Sequence, residues 1–208
     1  MSSKTIWRLT GLGILAGLLY NSWPFGFWLN PAVEQNSLAS GLEAVHQPYN
    51  WVFIATDISS SVIVAIMCLW LWRAYRHGRL RTPVRLALMA MGLFAAGTIV
   101  DALMPEHCVP NLMRCPSFTQ DHILLLHGIF SIAASVFLFI ALFIVWLYNR
   151  KAILLNALLV GYMVFGVISL IQAILPGDNG NWSQDYYITL CSLVLVCFPY
   201  AVSLLGDR

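Results

Sequence analysis

The chain has 208 residues, of which 60% are hydrophobic and 10% charged, with a mean hydropathy of +0.77. That composition excludes an ordinary soluble domain and places the protein among integral membrane proteins. The net charge of +2 is the sum of two oppositely biased sets of loops and carries no nucleic-acid signal.

A helix needs about 20 largely apolar residues to cross the hydrocarbon core. Six segments supply them, at roughly 6–22, 51–72, 86–104, 122–148, 152–175 and 186–205. They predict an all-α integral membrane protein, a six-transmembrane-helix bundle forming a single domain over residues 1–208. The sequence shows no internal repeat, low-complexity run or interdomain linker.

The first span opens with Lys4 and Arg8 and continues as an apolar run, the pattern of a signal peptide. The NSWPFGFW that follows lacks a small-residue cleavage site, so the segment reads as an uncleaved anchor. The first connection then carries Trp23, Phe25, Phe27 and Trp28 and a predicted short helix near SLASGLEAVHQ. Two readings stand: an interfacial aromatic belt with a surface helix, or a lid over a pocket that opens toward the outer leaflet.

The second span brings Asp57 and Ser61 four residues apart on one helical face, with Ser59 and Ser60 beside them. The connection after it, RAYRHGRLRTPVR, holds His77 among Arg73, Arg76, Arg79, Arg81 and Arg85. Arg150 and Lys151 fill the fourth connection, and the remaining connections hold only Arg114 beside Glu34, Glu43, Glu106, Asp121, Asp178 and Asp185. By the positive-inside rule both termini are cytoplasmic and the acidic loops face outward.

The third span ends on Asp101, and the loop after it contains Cys108 and Cys115 on the predicted outer side. An oxidising compartment would close CVPNLMRC as a small disulfide loop. The alternative, a redox-active pair, favours a closer CxxC spacing or a second pair outside the membrane. Cys68, Cys191 and Cys197 fall in spans as apolar filler. Glu106 and His107, next to the cysteine loop, have two readings, reaching down into the same pocket or, as is commoner for a loop pair, staying solvated, and His46 is similar.

The fourth span presents His122, His127, Ser131 and Ser135. At 1.5 Å of rise per residue, Asp57 and His127 each lie about 9 Å inside the outer boundary and Asp101 about 6 Å, so the three share a layer. Ionisable groups inside a span are costly and normally face a cavity or a partner, which makes each a candidate. His122 is about 140° around the helix from His127, so the two converge only if the first turn is distorted. Histidine and carboxylate from several helices suit a divalent metal such as zinc, with His127, His122 and Asp57 as ligands. Alternatively Asp57 and His127 form an acid/base pair; in either case Asp101 orients the histidine or activates water, and Ser61 and Ser131 donate hydrogen bonds. The plain structural reading is that the same groups hydrogen-bond across helices and hold the bundle together. The fifth span contributes Asn156, Tyr162, Ser169 and Gln172, which fit either a cavity wall or helix contacts. The sixth contributes Tyr186, Tyr187, Ser192 and Ser203 but no histidine and no acid within its span.

The order PYNWVFIATDISSS, DALMPEHCVPNLMRC and QDHILLLHGIFSIAAS resembles the bacterial membrane proteins grouped as domain-of-unknown-function family 998. The resemblance covers most of the chain and implies a bacterial inner membrane, with Asp57, Asp101, Cys108, Cys115, His127 and Ser131 as signature positions. A more distant similarity is to the alkaline ceramidase and adiponectin receptor superfamily, whose seven-helix members hold zinc through histidines and cleave lipid amides. This chain has six predicted spans, and its His127-Gly-Ile-Phe-Ser131 has serine where an HxxxH motif has its second histidine.

The expected function is an intramembrane hydrolase or transferase, acting on a lipid or lipid-linked substrate from an outward-facing polar cavity among the second, third and fourth spans. The competing expectations are a small carrier or lipid-binding protein that uses the cavity without chemistry, and a structural subunit of a membrane complex.

Overall fold

A computed structural model of the protein describes residues 3–30, 39–75, 81–107, 122–174 and 182–206. Six long helices dominate it: α1 (Ser3–Tyr20), α2 (Asn50–Ala74), α3 (Arg81–Ala102), α4 (His122–Tyr148), α5 (Ile153–Ile174) and α6 (Trp182–Gly206). No strand occurs among the described residues. Between α1 and α2 the chain makes a 3₁₀ turn at Trp23–Phe25, one turn of α-helix at Gly26–Leu29 and a second 3₁₀ turn at Ala39–Glu43. This last turn lies inside the short helix expected near SLASGLEAVHQ.

Five of the six helices are long and apolar enough to cross a membrane: Asn50–Ala74, Thr82–Ala102, His122–Tyr148, Ile153–Gln172 and Ser183–Leu205. The expected first span differs. Its helix begins at Ser3, so Lys4 and Arg8 fall inside its 18 residues and lower their apolarity. Exposed side chains such as Leu69, Val136, Val160 and Val164 face outward along the spans, as hydrocarbon surroundings allow and water does not.

Each helix packs on its sequence neighbours and α6 returns to α1, closing the ring; α6 also touches α2, α3 and α4 and so lines its interior. Two close approaches set the geometry. Gly13 and Gly17 of α1 form a small-residue stripe against α6, where an added Cβ would stand 2.6 Å from the Leu195 carbonyl oxygen and 2.9 Å from that of Ser192. At Gly97 of α3 an added Cβ would stand 3.1 Å from the Ala134 Cβ of α4. Asp101 is one turn beyond Gly97 on the same face, and His127 is two turns from Ala134 on its own. The tight Gly97–Ala134 contact therefore brings Asp101 and His127 together at the end of the antiparallel pair.

A second feature covers that end. His46 and Tyr49 have φ values of 72° and 61°, a left-handed conformation uncommon for residues other than glycine. They bracket Gln47 and Pro48 and turn the chain sharply into α2, so residues 39–47 lie back across the helix ends. Leu42 and Ala44 bury themselves against Phe53 of α2.

Candidate functional site

His127 occupies the centre of the covered end, with 5% of its surface exposed. Its Nδ1 stands 3.2 Å from the Met104 carbonyl oxygen and 3.1 Å from Asp101 Oδ1. A carbonyl can only accept, so the proton sits on Nδ1 and is directed at Met104. Asp101 Oδ1 receives no well-formed hydrogen bond, and its attraction to the ring becomes ionic once the ring is protonated. The opposite nitrogen, Nε2, faces Glu106 Oε1 at 3.4 Å.

Glu106 is held from the covering segment. The Val45 amide donates to its backbone oxygen at 2.7 Å, and the Ser40 hydroxyl donates to Oε1 at 3.3 Å. Its side chain is nearly buried, so of the two readings for this loop acid the commoner, solvated one does not hold: the turn after α3 folds inward and tucks it beneath residues 40–45. Burial raises its pKa above the ordinary glutamate range, against the opposing pull of His127 and the Ser40 hydroxyl.

Glu43 completes the cover and is also buried. Its carboxyl is hydrogen-bonded to that of Asp57 on α2, and such a bond requires at least one proton on the pair. Burial, then the anionic neighbour Asp101, push the Glu43 pKa up to about 7, while His127 and the Asp57 hydrogen bond act in the opposite direction. Four carboxyls thus form one cluster: Glu43, Asp101 and Glu106 interact with His127, and Asp57 joins them through Glu43 and Asp101. Four bare negative charges against one imidazolium would be prohibitive in such a buried setting, so the cluster must hold protons.

The remaining expected site residues divide. Ser131 lies one turn beyond His127 and hydrogen-bonds the Asp101 carboxyl. Ser61 lies one turn deeper than Asp57, fully buried, and its hydroxyl has no hydrogen-bond partner among the described residues. Ser60 donates to the Ala16 carbonyl of α1 at 2.8 Å and Ser59 is exposed, so neither extends the patch. His122 is exposed at the first turn of α4, on a different side from His127. His46 and His107 are exposed as expected. Cys108 and Cys115, with their expected disulfide, lie outside the described residues, whereas Cys68, Cys191 and Cys197 are free thiols. The fifth-span polar groups serve as fasteners: Trp146 donates to Asn156, Ser183 to Gln172, and Tyr187 to Tyr162, whose hydroxyl in turn donates to the Ser135 carbonyl.

The three residues expected to bind metal do not meet, because Asp57 is engaged by Glu43 and His122 is at the surface. Among the described residues no three His, Cys, Asp or Glu side chains are arranged to hold an ion. The two donors that do face one another are His127 Nε2 and Glu106 Oε1.

Sequence reasoning passed over Glu43 and undervalued Glu106. Both carried a signal: Glu43 sits between apolar neighbours in GLEAV, and Glu106 follows Asp101 by only five residues, across a turn that proline shapes.

No curated protein and no solved structure matches the chain. The family described as "Protein of unknown function (DUF998)" matches residues 12–206, nearly the whole bundle and every member of the acid–histidine cluster. The chain belongs to that family.

Proposed function

We propose that the cluster is an acid–base site acting on a lipid or lipid-linked substrate, as a hydrolase or transferase, at the outward-facing end of a protein of the bacterial inner membrane. The observation that carries this reading is the setting of His127. With its Nδ1 proton committed to Met104, the ring keeps Nε2 as the nitrogen that exchanges protons, and Glu106 is the acid within reach of it. In this reading Nε2 takes a proton from water or an acceptor hydroxyl as that oxygen attacks, and the same proton goes to the leaving group. Asp101 stabilises the imidazolium formed in between, and Ser131 orients Asp101.

A divalent metal such as zinc would have His127 Nε2 and Glu106 as its protein donors, and would polarise a carbonyl or phosphoryl oxygen. The described residues supply no third donor, and no step here is routed through a metal.

The test is lipid mass spectrometry on vesicles of a total bacterial lipid extract, incubated with the purified protein or with His127→Gln. A lipid consumed and a product formed only by the unmodified protein is the expected result. Identical profiles would sink the catalytic reading. A second reading, a proton-linked carrier or lipid-binding protein, is favoured by the enclosure of the four carboxyls, which suits proton storage. It predicts a co-purifying lipid that is released, unaltered, when the cluster is mutated.

A further inference from the structure

Beside the acid–histidine cluster, on the other side of Phe53, lies a groove of 350 Å³ between the end of α1 and the start of α2. Leu18, Phe25, Val52 and Phe53 are among its lining residues, with Trp28 at the margin. Its volume falls within the range of about 300–1,000 Å³ typical of small-ligand sites.

The chemistry of the lining selects the occupant. Only two lining residues carry hydroxyls, Ser22 and Thr56, and these lie 2.9 Å apart. Thr56 donates to the Phe53 carbonyl at 2.8 Å, so the Ser22 hydroxyl is the donor between them. Both are thereby satisfied within the protein, and they ask nothing of a guest. A polar molecule would lose its hydration there without compensation, whereas a hydrocarbon chain would not. Phe25 and Trp28, exposed and packed edge to face, follow directly on the predicted first span, and aromatic side chains at span ends favour the headgroup level. The inner wall connects the groove to the acids: Phe53 packs against Leu42 and Ala44, which flank Glu43, and Asp57 is one turn from Phe53 on the same face.

We propose that this groove seats one acyl chain of a lipid, so that the substrate is a chain-bearing lipid whose polar end borders Glu43 and Asp57. The substrate assignment rests on the acid–base reading given above; occupation of the groove does not.

The experiment uses the full chain in phosphatidylethanolamine–phosphatidylglycerol vesicles doped with a phospholipid that bears a diazirine in one acyl chain, with adducts mapped by peptide mass spectrometry after irradiation. The expected adducts fall on the peptides carrying Leu18 and Val52, enriched several-fold over the lipid-facing side of α5 at Val160 and Val164. Val52→Trp should abolish the enrichment, and so should Leu18→Trp, at a position exposed enough to accept the larger ring without disturbing folding. His127→Gln should retain it. Equal labelling of the groove and α5, labelling indifferent to both tryptophans, or a cross-link joining two copies through the groove would each overturn the proposal. Groove-specific adducts in a protein without His127-dependent turnover would support the chain site and remove the acid–base reading alone.

Discussion

Nε2 of His127 stands 3.4 Å from Oε1 of Glu106, although the two residues come from different sides of the third connection. Since Nδ1 is committed to Met104, a proton in this pair has one route, between Nε2 and the glutamate. Neutralising either partner should therefore cost turnover more than it costs folding. General acid–base groups contribute roughly 10²–10⁴-fold, and a loss of that size is expected for His127→Gln. Glu106→Gln should lie within the same range and keep a monodisperse elution profile. Turnover of the lipid identified by mass spectrometry provides the check, and a fully active His127→Gln would remove the histidine from the mechanism.

The Glu43–Asp57 carboxyl pair makes the covering segment pH-sensitive. Glu43 has its pKa raised by burial from 4.5 to about 7, so the covered state binds the proton more tightly than the uncovered one. A raised pKa stabilises the covered form fully below about 4.5, and that contribution is lost as the pH rises through about 7. The neighbouring groups bear on the same site: Asp101 and Glu106 favour the proton's retention, His127 and the Asp57 hydrogen bond its release. Hydrogen exchange of residues 39–47, corrected for the intrinsic pH dependence, should show protection falling over that window. Glu43→Gln, which keeps a hydrogen bond to Asp57 without titrating, should flatten the curve. Protection that is independent of pH in the unmodified protein would show that the pair does not govern the cover.

Much of this architecture was legible because the bilayer imposes a single rule on the sequence. Runs such as HILLLHGIFSIAASVFLFIALFIVWLY can satisfy their backbone only as a helix, and the fourth span falls at residues 122–148 as expected. The layer holding Asp57, Asp101 and His127 followed from helical rise alone. What periodicity could not convey was the course of the connections. Glu106 is buried because the Val45 amide captures its backbone oxygen, a contact between residues 61 positions apart. Glu43 is buried because two left-handed residues turn the chain back over α2, and nothing in the hydropathy of the loop encodes that turn. Loop acids look solvated in a sequence, and the choice between a surface helix and a lid for this segment depends on tertiary partners that the sequence does not display.

The cysteine loop supplies an independent test of topology. Cys108 and Cys115 are expected on the oxidising side, where CVPNLMRC closes as a disulfide. Protein isolated with its thiols blocked at lysis should take up thiol label at both positions only after reduction. Labelling of both before reduction would contradict either the pairing or the outward placement of this connection. Loss of the bridge in a double serine variant should lower stability by about 2–4 kcal/mol if the loop anchors the fold.

The contact between Gly97 and Ala134 offers the sharpest structural test, because it separates the site from the rest of the bundle. An added Cβ at Gly97 meets the Ala134 Cβ at 3.1 Å, a clash that a small helix displacement can relieve. Gly97→Ala should therefore fold, with little loss of stability. Gly97→Leu overpacks the α3–α4 interface and should destabilise by about 1–3 kcal/mol. Either change drives α3 away from α4 just one turn from Asp101, so the 3.1 Å approach of Asp101 to His127 should lengthen before the bundle fails. The expected signature is an alanine variant with near-normal thermal stability and impaired His127-dependent chemistry. Ala134→Gly, combined with Gly97→Ala, restores the space from the other helix and should recover function. Without that recovery, the interface would not be what positions the acid against the imidazole.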